Sequence, residues 1–327
     1  MKRGIKGSLH CLVACICVCL SSSTFADKRC AYLNDQGEVE QADSPEDAPK
    51  RYRSRVICAD DPGVNSAIPK AQDVEIRGAL KTASFVTDLG PISLKWPYSV
   101  EKCFGRSPAR AVADAAQTVN RAIASAPFPP EVKNRSREWS LVFTDKDTAN
   151  REFPASLTIG GHPGFMVPPN NIYLISEFIS PSCNASDVGD AMLAQVLLHE
   201  MGHVIEFLIL GPEFGLDRPR AEGFASWFEQ YASDYSKVIP KGSVKAYYRQ
   251  LATEAMRSLP APFEGSPYDY ARAALQFDAI VGRRGVAGLM GVYSVIKSEG
   301  VPFHTAVERS IRWNKKTLEQ EMIQALK

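Results

Sequence analysis

An excess of charge of either sign is missing from this sequence. Its 327 residues carry 38 Lys and Arg against 37 Asp and Glu. That balance gives no sign of a nucleic-acid footprint, which needs a strongly basic total or a basic stripe. Long apolar runs are also scarce. The stretch Leu9–Leu20 lacks Lys, Arg, Asp and Glu, but it falls far short of the ~20 residues that cross a bilayer, so no stable membrane span is expected. There is no internal repeat and no low-complexity tract. Cysteine is sparse beyond the first 26 residues, where only Cys30, Cys58, Cys103 and Cys183 occur. None of the four has the spacing of a zinc ligand set, so they read as structural.

The first residues have the layout of an export signal. Lys2, Arg3 and Lys6 precede the apolar stretch, and Ser21-Ser22-Ser23-Thr24-Phe25-Ala26 supplies a polar end with a small final residue. Cleavage after Ala26 is expected, with a periplasmic or secreted product. Leu12-Val13-Ala14-Cys15 resembles a bacterial lipobox but sits too early to have an apolar segment before it. The mature chain would hold 35 Lys and Arg against 37 Asp and Glu. Its four cysteines are an even number for an oxidising compartment. The expected pairing is Cys30–Cys58 and Cys103–Cys183, because the first pair brackets a short segment with its own hairpin signal.

That segment, 27–62, reads as a small module. Ala31-Tyr32-Leu33 and Glu38-Val39-Glu40 flank the turn cluster Asn34-Asp35-Gln36-Gly37, the pattern of a short β-hairpin. Tyr32, Asp35-x-Gly37, Ser44-Pro45 and Tyr52 resemble a short domain of unknown function that follows the signal peptide in many periplasmic proteins of Gram-negative bacteria. Residues 63–90 read as a linker, and 91–327 as the main domain. Ile92–Trp96, Ser140–Thr144 and Asn171–Ile175 are expected strands, and Arg106–Ala126 an expected helix. A Gly/Pro-rich loop is expected at Gly160–Gly164. From residue 187 onward nearly everything reads as helix, including 268–282, 286–298, 302–312 and 316–326. Strands first and helices afterwards predict an α+β domain with a small sheet and a mostly helical C-terminal lobe.

The chemistry concentrates in His199-Glu200-Met201-Gly202-His203, inside a predicted helix over 187–210. Histidines four apart on a helix share one face, where one Zn²⁺ can take a nitrogen from each. Glu200 lies beside such a metal and can take a proton from an activated water. The third ligand must come from elsewhere. A continuation to H-E-x-x-H-x-x-G-x-x-H is excluded, because Glu206 and Ile209 occupy the Gly and His positions. Glu222, with eighteen residues between it and His203, is the downstream candidate. The Gly211-Pro212 and Gly215 region lets the chain double back into a second helix beginning near Arg218.

This spacing, with the string Glu222-Gly223-Phe224-Ala225-Ser226, resembles the gluzincin metallopeptidases: the catalytic core of the zinc aminopeptidase family and its short relatives, the peptidase MA-like domains. The resemblance implies a zincin-like fold, one Zn²⁺ on His199, His203 and Glu222, and Glu200 as general base. It also implies a tyrosine at the start of a later helix that stabilises the oxyanion. Tyr268 aligns best with that role, and Tyr270 is the alternative. The G-x-M-E-N motif that grips a free amino end in full aminopeptidases is absent, so exopeptidase specificity does not carry over. Ser226 stands where an Asp sometimes supports a ligand, which leaves support for the histidines unassigned.

Other candidates have plainer readings. His162 is expected to be a solvated loop residue and His304 a surface one. Glu206 shares a face with His199, and a surface salt bridge is its expected fate. The expected function is hydrolysis of peptide bonds in a peptide or protein substrate. The alternatives are a peptidase-like envelope binding or scaffold protein that keeps its zinc, and an enzyme acting on a non-peptide bond.

Overall fold

The structure is a computed structural model. It describes residues 29–33, 39–42, 50, 57–59, 80–87, 89–97, 100, 107–134, 137–152, 163–179, 187–214, 217–257 and 262–327. Near the N-terminus, β1 (Arg29–Leu33), β2 (Val39–Ala42) and β3 (Ile57–Ala59) form an antiparallel sheet in the order β2-β1-β3. The expected hairpin is its β1–β2 part. The β1–β3 register sets Cys30 opposite Cys58, while Cys103 and Cys183 lie outside the described residues.

A second sheet has five strands: β4 (Leu80–Thr87), β5 (Gly90–Pro97), β6 (Trp139–Thr144), β7 (Gly164–Val167) and β8 (Asn171–Ile175), in the order β4-β5-β6-β8-β7. The centre is parallel and both edges are antiparallel. In β5, Ile92, Leu94 and Trp96 are buried while Ser93 and Lys95 are half-buried, the period of a strand with one well-covered face. In β6 the run Leu141-Val142-Phe143 is buried throughout, because both faces are covered. Leu141 and Phe143 join the main core, and Val142 joins a smaller cluster with Ala149, Phe165 and Tyr173.

Helices make up the rest. They are α1 (Pro108–Ala124), α2 (Lys146–Glu152), α3 (Ser176–Ile179), α4 (Asp187–Leu210), α5 (Arg218–Ser233), α6 (Ser243–Ala255), α7 (Pro267–Glu299), α8 (Phe303–Ile311) and α9 (Lys315–Ala325). From Leu193 to Leu210, α4 is buried on nearly every side, packed against α1, α5 and the edge strand β7. A helix apolar all round belongs in the middle of a core. Both α5 and α7 begin on a side-chain cap with Pro inside, at Asp217 and Ser266. The fold is mixed α and β, mostly helical.

Two expectations need correction. The stretch read as a linker, 63–90, ends in β4, whose half-solvated edge position weakens the apolar alternation that marks a strand. The Gly/Pro-rich loop gives way at Gly164 to β7, an edge strand too short for periodicity to reveal. The expected helices 268–282 and 286–298 are the two halves of α7, which breaks at Gly285, where a φ of 66° that only glycine adopts readily interrupts the helical backbone.

Candidate metal centre

Two glycines allow the helices that carry the site to approach. A Cβ on Gly202 would lie 3.0 Å from the Ala225 Cα, so α4 and α5 meet backbone to backbone. A Cβ on Gly223 would lie 2.8 Å from the Phe277 ring, so α7 closes on α5 in the same manner. The result brings His199 and His203 of α4 against Glu222 of α5. Glu222 Oε2 lies 3.4 Å from His199 Nε2 and 3.3 Å from His203 Nε2. One ligand atom from each of the three residues falls within 4.8 Å of the others. The two imidazole rings are 4.9 Å apart and nearly perpendicular.

The donor set suits zinc: two imidazole nitrogens and one carboxylate oxygen converge, a combination used by open, catalytic sites. Behind His199, Glu229 Oε2 lies 3.2 Å from Nδ1. Glu229 is itself fixed by Gln195, which donates to Oε1 at 2.6 Å, and by the Tyr248 hydroxyl, which donates to Oε2 at 2.9 Å. A carboxylate on Nδ1 keeps that nitrogen protonated and turns the Nε2 lone pair toward a metal. Glu200 is buried beside the cluster, and its Oε2 has no hydrogen-bond partner among the described residues. Gly164 of β7 lies over it; a Cβ there would come within 3.1 Å of Glu200 Cγ and Oε1.

Electrostatics couple these groups. Burial raises the pKa of Glu200, and the neighbouring histidines only partly oppose it. Burial would also lower the pKa of His199, but hydrogen bonds to Glu222 and Glu229 outweigh it and hold the imidazole well above its usual value. For Glu222 burial works upward, yet the two histidines win and hold its carboxyl well below the ordinary range. A proton held on His199 Nε2 faces Glu222 Oε2 across 3.4 Å, where a cation would sit, while the Nδ1 proton faces Glu229 on the other side of the ring.

The structure brings together His199, Glu200, His203 and Glu222. It does not bring Tyr268 to them. That side chain is 39% exposed, with its hydroxyl hydrogen-bonded to Glu254. Tyr270, the alternative, lies closer to the cluster. It is buried, its ring lies 6.0 Å from that of His199, and its hydroxyl bonds to Arg218. Burial and the Glu222 charge raise its pKa well above the usual phenol value, so it keeps its proton. Two residues along a helix are ~200° apart, so only one of the two tyrosines can face the site.

The other candidates are settled individually. Glu206 is not on the surface; it is fully buried in an ion pair with Arg220. His304 is exposed on α8, and His162 lies outside the described residues. Ser226 is fully buried, beside the Tyr248 hydroxyl. Glu229 was missed by sequence reasoning, although its spacing of two turns from Glu222 signals a shared helix face.

No family model matches the chain, and no curated protein matches it. Among solved structures, one similar chain is described as a two-domain M1 zinc metallopeptidase mutant bound to L-tryptophan. The identity is 14% and the TM-score 0.42. The alignment covers 76% of this chain and 51% of that one, so the present chain spans about half its length.

Proposed function

We propose that this chain is a zinc-dependent hydrolase of peptide bonds, exported to the periplasm or secreted. The observation that carries the proposal is the convergence of His199 Nε2, His203 Nε2 and Glu222 Oε2 beside a buried carboxylate with an unpaired oxygen. Bound there, zinc would supply Lewis acidity, polarising the carbonyl and lowering the pKa of water from about 15.7 toward 7. Glu200 takes the proton of the attacking water and passes it to the leaving amine. Its raised pKa suits a group that must hold that proton between the two steps. Tyr270 donates its phenolic proton as a hydrogen bond to the carbonyl oxygen as charge develops there. The Arg218 guanidinium donates to the Tyr270 oxygen, which leaves the O–H of Tyr270 free for substrate.

Glu200 also separates this reading from a binding protein that merely keeps its zinc, since a closed structural site has no use for a carboxylate beside the metal. Export and a Cys30–Cys58 disulfide belong to the same proposal. They are supported by the layout of residues 1–26 and by the pairing of those cysteines across β1 and β3.

Zinc content of the chain from Asp27 onward, with a peptide-library cleavage assay, tests the proposal. The expected result is one zinc per wild-type chain, retained in Glu200→Gln and mostly lost in Glu222→Ala, with cleavage by the wild type alone. Absence of zinc from the wild type, or zinc content indifferent to Glu222, would refute the metal centre. Zinc present with no cleavage would favour the binding protein.

A further inference from the structure

One buried charge cluster has no part in the chemistry described above. Glu206 lies three residues beyond His203 on α4, and Arg220 lies two residues before Glu222 on α5. Arg220 Nε donates to Glu206 Oε1 at 2.9 Å, with side chains 2% and 0% exposed. The Tyr293 hydroxyl, from the second half of α7, donates to the same oxygen at 2.5 Å. Arg220 also reaches the connection between the two ligand helices, through Nη2 to the Glu213 carbonyl at 3.5 Å, and its backbone N–H donates to the cap residue Asp217 at 3.0 Å. Three helices and one connection therefore meet at this one ion pair.

A buried ion pair is a poor way to gain stability. Both charges must leave water, and an apolar pair of similar volume is often as stable. What an ion pair adds is direction. Apolar packing tolerates a slide of one helix along another, whereas a guanidinium donating to a carboxylate does so over a narrow range of axial shift and rotation. The pair sits one turn from the place where such a slide would matter most. Glu222 Oε2 must stay within bonding reach of a metal shared with two imidazoles on the neighbouring helix.

We propose that Glu206, Arg220 and Tyr293 are positioning residues that fix the register of α5 against α4, and thereby set the affinity and coordination geometry of the metal centre. The proposal rests on the reading of His199, His203 and Glu222 as metal ligands. None of the three positioning residues touches the metal or the substrate. They act through Glu222 and His203.

The test uses the full mature chain as wild type, Glu206→Gln, Arg220→Met, Tyr293→Phe and the double variant Glu206→Met/Arg220→Met. Three quantities are read: zinc affinity by competition with a chromophoric chelator, the visible spectrum of the Co²⁺-substituted protein, and melting temperature in EDTA. The single variants at 206 and 220 are expected to lose about tenfold or more in zinc affinity, the scale on which outer groups tune a metal site, with displaced Co²⁺ bands. Tyr293→Phe is expected to show a smaller loss in the same direction. The double variant leaves no orphaned charge, so its metal-free melting temperature should recover above the single variants while its zinc affinity and Co²⁺ spectrum stay altered. Return of both metal readouts to wild type in the double variant would show that the pair serves folding alone. Unchanged zinc affinity in Tyr293→Phe and the double variant would overturn the proposal even if the single charge variants failed to fold. A wild type that takes up no zinc would instead defeat the metal-site reading, and this proposal with it.

Discussion

At the scale of the residue, the division of labour among three tyrosines is informative. The hydroxyls of Tyr268, Tyr270 and Tyr248 go to Glu254, Arg218 and Glu229 respectively. Only Tyr270 is both buried and directed at the metal cluster. Tyr270→Phe is expected to lower kcat by about a hundredfold with little change in KM, as for removal of one oxyanion donor. Tyr268→Phe should leave both parameters nearly unchanged. Steady-state kinetics on one cleaved peptide would distinguish the two, and the opposite ranking would return the role to Tyr268. Which tyrosine is buried was legible in the sequence. Tyr270, Ala273, Ala274 and Phe277 recur at the spacing of one helix face and are all buried, whereas alignment with a family favoured the tyrosine nearer the helix start. Glu229 was legible in the same way, two turns beyond Glu222.

At the scale of the element, the site depends on how closely two helices can approach. Gly202 occupies a variable position of the His-Glu-x-x-His string, but its absent side chain lets Ala225 come near. Gly202→Ala would need a few tenths of an ångström between α4 and α5 and is expected to cost about 1–3 kcal/mol, as overpacking in a core does. Because the helices carry ligands, zinc affinity should fall together with the melting temperature. A variant with wild-type zinc affinity would show that the contact has slack. The helices themselves were readable in advance, since caps and periodicity mark their starts and faces. The edge strands β4 and β7 were not. One is half-solvated and the other has only four residues, so tertiary pairing rather than local pattern makes them strands.

At the scale of the whole molecule, the proposed metal would compete with a proton for one place. The pKa of His199 is raised in the folded, metal-free protein, so its contribution to stability is complete below about 6.5, the unfolded value, and is lost as pH rises through the folded value. Glu222 contributes above about 4.5 and loses that contribution as pH falls through its depressed value. Metal-free protein should therefore be most stable in mildly acid solution and weaken toward alkaline pH. Zinc binding requires the proton on His199 Nε2 to leave, so the rise in melting temperature on adding zinc should be larger at about pH 8 than at about pH 5.5. Calorimetry with zinc and with EDTA at both pH values checks this; equal increments would mean that His199 is not the residue exchanging proton for metal.

The ligands also differ in when they become available. His199 and His203 belong to one helical turn, but Glu222 joins them only after α5 has folded back along α4. A nascent or unfolded chain can thus offer a metal at most two neighbouring imidazoles, a weak chelate that common buffers and small thiols would outcompete. Under the proposed function, tight metal uptake would follow the folding of α5 onto α4 and so distinguish finished molecules from unfinished ones. Refolding in the presence of a chelator should then lead to a compact, protonated form, ready to exchange its proton for zinc once the chelator is removed.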